Sequence, residues 1–211
     1  MTGIFFSFDG IDGTGKSTQM ELFCEWLRDQ GHHVVQCRDP GGTELGEDLR
    51  EIILHKQDTP ISPIAEMLLY MASRAQLVAE VIRPALQAGK TVVSDRFLVS
   101  NVAYQGYAGG VGADNVWAVG AVATDAVSPD LTLMLDMAVD QASTRLNRNL
   151  DRIEARGTGF LNRVRDGFLK EAGQSPDRIA VIDAARDISS VQDDIRAVAQ
   201  RVIEARGKSI R

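Results

Sequence analysis

Gly10-Ile11-Asp12-Gly13-Thr14-Gly15-Lys16-Ser17 is the stretch on which the fold turns. It fits the pattern G-x-x-x-x-G-K-[ST], which arises by chance in a chain of this length with probability on the order of one per cent, taking Gly at ~7%. The apolar run 4–8 before it has strand length, and Met20, Phe23, Cys24 and Leu27 after it recur at helical spacing. Strand, glycine loop and helix together are the setting in which this pattern cradles phosphate. Glycine lets the backbone wrap an anion without Cβ clashes, while N–H groups and the helix N-terminus face the charge. Gly10 to Thr18 are therefore expected to bind a nucleotide phosphate chain. Lys16 is expected to reach its terminal phosphates, standing in solvent when no ligand is bound, and the Ser17 hydroxyl to hold Mg²⁺.

Further along, apolar runs of strand length at 34–37, 91–93, 131–135 and 179–182 alternate with helical patterns. Those patterns cover 45–54, 63–86, 99–107, 114–127 and 188–205. Such alternation implies parallel β-α-β units with right-handed crossovers and helices on both sheet faces. The expected architecture is an α/β P-loop kinase fold with a five-stranded parallel sheet. A length of 211 residues favours one domain over the whole chain. Residues 145–162 stand apart, rich in Arg, carrying Gly157 and Gly159 and few apolar side chains. They read as a solvated loop or as a mobile Arg-rich lid.

The net charge of −6 argues against nucleic acid or an anionic membrane as partner, so positive charge for a phosphorylated ligand has to be gathered locally. Cys24 and Cys37 are too few for a disulfide framework and read as small core residues, one helical and one in a strand. No run approaches the ~20 apolar residues of a membrane helix, and no signal-like segment opens the chain. The cytoplasm is the expected compartment. His32, His33 and His55 fall in no motif.

Two further motifs close strands. Arg38-Asp39-Pro40-Gly41-Gly42-Thr43 ends the second, and Asp95-Arg96-Phe97 ends the third. Ligands of open α/β sheets sit beyond the carboxyl ends of the strands, so both motifs converge with the cradle on one cleft. Asp95 and Arg96 could be a structural ion pair, or a metal-ordering acid and a phosphate-binding arginine. The N-K-x-D motif of guanine-specific switches is absent from the sequence.

The motifs taken in order resemble the thymidylate kinase family. The matching pieces are the cradle from Phe8 to Thr18, the run Asp39-Pro40-Gly41-Gly42-Thr43, Tyr70 with Arg74, and Asp95-Arg96-Phe97. Ser100-Asn101, Tyr104-Gln105-Gly106, Pro129-Asp130-Leu131-Thr132 and Leu150-Asp151-Arg152-Ile153-Glu154 complete the set. The resemblance implies transfer of phosphoryl from ATP with Mg²⁺ to dTMP. It implies that Arg74 hydrogen-bonds the thymine carbonyl, Tyr70 stacks on the ring, Asn101 bonds the base edge and Gln105 lines the pocket. Tyr104 would lie under C2′ of the sugar and exclude a ribose hydroxyl. Arg50 and Arg96 would hold the acceptor phosphate, and Asp39 would face the 3′-hydroxyl, with Pro40 and Ser100 in the same substrate motifs. Asp12 would order the acceptor and the metal environment, and Asp95 would join Ser17 at the metal. Family members with glycine where Gly13 stands take their charge-stabilising arginine from the lid. That implies a catalytic role for Arg152, with Arg145 and Arg148 as helpers on the ATP phosphates. Adenine would rest by Asp183, Ala184, Ala185 and Arg186. The family is dimeric through helices, which implies a homodimer; the apolar positions Leu68, Leu69 and Val78 could serve there or in the core.

A phosphate monoester has a second pKa near ~6, so the acceptor is already anionic at pH 7 and no histidine base is needed. Catalysis would then be positioning and charge neutralisation, with lid closure excluding water. Two rival readings remain at this stage. A deoxynucleoside kinase would want a carboxylate base beside a sugar hydroxyl, and a non-catalytic nucleotide switch would leave the acceptor residues idle.

Overall fold

β1 (Ile4–Asp9) is buried from end to end, and its alternation divides the core. Ile4, Phe6 and Phe8 face one side of the sheet, where Phe23 of α1 (Lys16–Asp29) meets Phe6 edge-on with ring centres 5.3 Å apart. Phe5 faces the other side and meets Phe97 edge-on at 5.0 Å. A strand apolar on both faces belongs in the middle of a helix-covered sheet. The structure, a computed structural model, describes residues 3–55, 60–146 and 151–209.

β2 (Val34–Arg38), β3 (Thr91–Asp95), β4 (Leu131–Asp136) and β5 (Ile179–Asp183) complete one parallel sheet in the order β2-β3-β1-β4-β5. The register pairs Phe8 with Asp95 and Arg38 with Asp95, so the loops after β1, β2 and β3 leave from one edge. The sheet and fold expected from the sequence are therefore present.

Between the strands lie α2 (Glu44–Leu54) and α3 (Pro63–Leu77). Thr43 caps α2 by accepting from the Gly46 N–H at 3.0 Å, and α3 begins with Ser62 as cap and Pro63 in its first turn. A π-helical turn, Val78–Ile82, carries α3 into α4 (Arg83–Gln87), which accounts for the unbroken pattern over 63–86. α5 (Leu98–Asn101) runs on as a π-helical turn, Val102–Ala108. α6 (Ala113–Thr124) stops before the expected 127 because Asp125 and Ala126 take left-handed backbone, with φ of 45° and 60°.

α7 (Val139–Thr144) and α8 (Thr158–Gln174) were not expected from the sequence. Thr158 to Asn162, read as the end of a loop, are the first residues of α8, and Glu154–Arg156 form a 3₁₀ turn. Phe160, Val164, Phe168 and Ala172 bury one face of α8 at four-residue spacing. α9 (Ile188–Ser209) closes the chain. Leu68 of α3 is exposed and Leu69 half-buried, whereas Val78 belongs to the core. Cys24 is buried and Cys37 half-buried, and neither forms a disulfide. Among the described residues no helix is long and apolar enough to cross a membrane.

Candidate active site

The glycine loop leaves β1 and enters α1 through left-handed turns at Gly13 and Gly15, with φ of 87° and 88°. At Gly13 a Cβ would lie 2.2 Å from the Ala142 carbonyl oxygen, so only glycine lets the loop settle on α7. The expectation that Lys16 stands in solvent is not met. Lys16 is buried, and its Nζ donates to the Ile11 carbonyl at 2.9 Å and to Asp12 Oδ1 at 3.3 Å. An ammonium withdrawn from water needs such acceptors. Burial, reinforced by Arg96, depresses the Lys16 pKa, with Asp12 and Asp95 opposing. Burial pushes the Asp12 carboxyl up, but Arg96 and Lys16 outweigh it and hold the group below the usual carboxylate range.

Arg96 begins the next layer. Its φ of 67° is left-handed, a conformation arginine rarely takes. Its N–H donates to the Phe8 carbonyl at 2.8 Å, its own carbonyl accepts from Ser94 Oγ at 2.7 Å, and the Phe97 N–H donates to Asp9 Oδ1 at 3.4 Å. Ser100 Oγ donates to the same Asp9 oxygen at 2.5 Å. These bonds aim the guanidinium at the cradle, where it donates to the Gly10 carbonyl at 2.8 Å and to Asp12 Oδ1 at 2.7 Å. It also lies over the Tyr104 ring, 5.2 Å from its centre. Arg96 and Asp12 thus join the cradle to the loop after β3, as the converging strand ends predict.

Beyond β2, Asp39 and Arg74 form a buried pair, with Arg74 Nε donating to Asp39 Oδ2 at 2.5 Å. Arg74 also donates to Asn101 Oδ1 and lies over the Phe97 ring at 5.2 Å. Arg50 donates to the Pro40 carbonyl at 2.9 Å. Asp9 Oδ2, Asp39 Oδ1 and Asp95 Oδ1 are buried with no hydrogen-bond partner among the described residues. A cavity of about 690 Å³ is lined by Asp39, Arg50, Arg74, Asp95 and Asn101 together with the cradle. The cradle residues along it are Gly13 to Thr18, and Pro40, Tyr70, Arg96, Ser100, Tyr104, Gln105, Arg145, Ala184 and Arg186 line it too.

The family model described as thymidylate kinase matches residues 8–195. The thymidylate kinase of Kosmotoga olearia is 46% identical over 91% of this chain and 93% of its own. That of Clavibacter michiganensis subsp. michiganensis is 45% identical over 97% and 98%. The crystal structure of thymidylate kinase from Ehrlichia chaffeensis superposes with a TM-score of 0.77 at 34% identity, covering 95% of this chain and 99% of that one.

The chain belongs to the thymidylate kinase family.

Within this thymidylate kinase scaffold some expected residues lie elsewhere. Arg152 does not reach the cradle; its Nε donates to the Ile53 carbonyl at 2.7 Å and its Nη2 to Glu66 Oε2 at 2.6 Å. Glu66 is buried and draws the guanidinium towards α2 and α3. Arg148 lies outside the described residues. Ala185 does not line the cavity; it is exposed, its N–H donating to Asp183 Oδ1 at 3.0 Å, while its neighbours Ala184 and Arg186 line the cavity. Gly10 and Ile11 serve through their carbonyls, which hold Arg96 and Lys16. Contributors that escaped the sequence reading include Glu66, which bonds the lining residue Gln105, and Gln19, Leu54, Leu146, Ile188 and Val191, which line the cavity. Glu66 had one visible signal, its place four residues before Tyr70 on the same helix face.

Proposed function

We infer that the chain transfers the γ-phosphoryl group of ATP to dTMP, giving dTDP and ADP. The observation that carries this reading is the cavity lined both by a phosphate cradle and by a further set of arginines. An ATP-hydrolysing switch has no use for the second set. A kinase acting on a nucleoside hydroxyl could use the open carboxylate oxygen of Asp39, but it has no use for further arginines to hold an acceptor phosphate. Arg50 and Arg96 both line the cavity, which suits an acceptor that brings its own anion.

In this reading Lys16 swings from Ile11 and Asp12 onto the transferred phosphoryl, and Arg96 holds the acceptor phosphate in line. The free oxygen of Asp39 accepts from the sugar hydroxyl. Arg145 and Arg186 neutralise the donor phosphates from the rim. Arg152, paired with Glu66, is left out of the transfer machinery. Mg²⁺ fits the chemistry of Ser17 and Asp95: both line the cavity, Ser17 is exposed, and Asp95 has a buried oxygen without a partner among the described residues. Bound there, it would offset charge on the phosphate oxygens, keeping most of its ligands as water and phosphate. We also place two copies together through α3, where Ile64 and Leu68 expose apolar surface one turn apart; sedimentation at the mass of one chain would remove that part.

ADP release from ATP, measured against dTMP, thymidine, UMP and buffer alone, tests the assignment. Release driven by dTMP supports it. Release driven by thymidine selects the nucleoside kinase, and release indifferent to acceptor selects the switch.

A further inference from the structure

A line of buried polar side chains runs from the segment after β4 to the acceptor pocket. Arg152 Nη2 donates to Glu66 Oε2 at 2.6 Å, and Arg156 donates to the same oxygen. The other oxygen, Oε1, accepts from Gln105 Nε2 at 2.9 Å. Gln105 Oε1 accepts from Asn101 Nδ2 at 2.7 Å, and Asn101 Oδ1 accepts from Arg74. Glu66, Gln105, Asn101 and Arg74 are each buried, so water cannot repair a mismatch along this line.

An amide can face either way, but a carboxylate only accepts and a guanidinium only donates. With Glu66 at one end and Arg74 at the other, both amides are forced into one direction. Asn101 must then turn an oxygen, not an NH₂, towards Arg74. The pair offers a donor beside an acceptor at the pocket wall. That pattern complements a pyrimidine imide, whose ring N–H donates and whose carbonyl accepts. It opposes an aminopyrimidine, whose ring nitrogen accepts and whose amine donates.

We propose that Glu66 is a positioning residue for base selection: its carboxylate fixes the orientation of Gln105, and through it Asn101, so that the pocket reads thymine rather than cytosine. The proposal rests on the acceptor assigned under Proposed function. The arginines on Glu66 are part of the argument. Glutamine at position 66 has one oxygen, and two guanidiniums compete for it. Its NH₂ then faces the NH₂ of Gln105, and a donor–donor contact has to lie somewhere between position 66 and Arg74.

The test compares kcat/KM for dTMP and dCMP in the wild type, in Glu66→Gln, and in the exchanged pair Glu66→Gln with Gln105→Glu. Glu66→Gln should narrow the preference for dTMP roughly tenfold or more, as one buried donor left unpaired implies. In the exchanged pair, Gln at 66 offers its oxygen to the arginines and its NH₂ to Glu at 105. That carboxylate accepts again from Asn101, so the preference should return to within about threefold of wild type on the same conversion. An unchanged preference in Glu66→Gln overturns the proposal, and so does an exchanged pair no better than Glu66→Gln. A carboxylate that only anchored Arg152 and Arg156 would not be rescued by moving it to 105. Should Glu66→Gln fail to fold by thermal melt, the exchanged pair decides alone, its preference kept or lost. A wild type without dTMP-dependent ADP release sinks the functional reading first; a wild type active on dTMP, with flat ratios across the variants, sinks only this proposal.

Discussion

Lys16 illustrates how a residue can be legible in type and not in state. The motif identified it, but the motif says nothing of where the ammonium rests without phosphate. It rests on the Ile11 carbonyl and Asp12, buried. Lys16→Ala should lower kcat roughly 10²–10³-fold, the range for removing one transition-state donor. It should also shift Tm by only roughly 2–4 °C, as a change of about 1 kcal/mol does in a chain this size. Near-normal turnover would overturn the cradle's role. Tyr104 is a second case. Its ring packs against Phe160 and Phe168, with centres 6.3 and 6.1 Å apart, and it also lines the cavity. The resemblance implies a sugar gate, and the packing adds a second role that one variant can separate from it. Tyr104→Ala should therefore cost roughly 3–5 kcal/mol of stability. It should also narrow the preference for dTMP over its ribo counterpart roughly five- to hundredfold, because the wild-type ring strips a 2′-hydroxyl of water without replacing the bond. Equal losses in kcat/KM on both nucleotides would leave packing alone.

Elements were read well where periodicity and punctuation agreed. All five strands and most helices follow from short apolar runs and helical spacing, because burial is what those patterns encode. α8 was hidden by composition, since its charged outer face drew attention from Phe160, Val164 and Phe168. The Glu66–Gln105–Asn101 line was hidden for a deeper reason: a polar residue in sequence looks solvated until its neighbours from other elements are known. The cradle gives the sharpest element-scale prediction. It sits on α7 through Gly13, where an added Cβ would meet backbone 2.2 Å away at φ 87°. Backbone cannot give way as a flexible side chain can. Gly13→Ala should displace the loop, losing ATP binding by calorimetry together with activity, while far-ultraviolet dichroism stays native. Retained ATP affinity would mean that α7, not the loop, moves.

At the scale of the whole molecule the net charge is −6, so protons are taken up readily as pH falls. Asp12 resists this. Arg96 and Lys16 hold its folded pKa below the ordinary value, despite the upward push of burial. A carboxyl so depressed contributes stability that is complete above its unfolded pKa near ~4 and disappears as pH drops through the folded one. Melting curves of wild type and Asp12→Asn should therefore differ by a constant gap from neutral pH to about 4, closing below it. A gap that widens on acidification would reverse the sign and remove Asp12 from its ion pairs.

The strand order has a consequence for how the chain is made. β1 is synthesised first, yet its partners on either side are β3 and β4. At about 5–20 residues per second, residue 136 leaves the ribosome roughly 6–25 s after residue 9. For that interval the phenylalanines of β1 have no finished slot, and the nucleotide cavity still lacks Ile188 and Val191 from α9. Until β4 has emerged the apolar side chains of β1 lack one flank, and the nucleotide cavity gains its last wall only when α9 has been made.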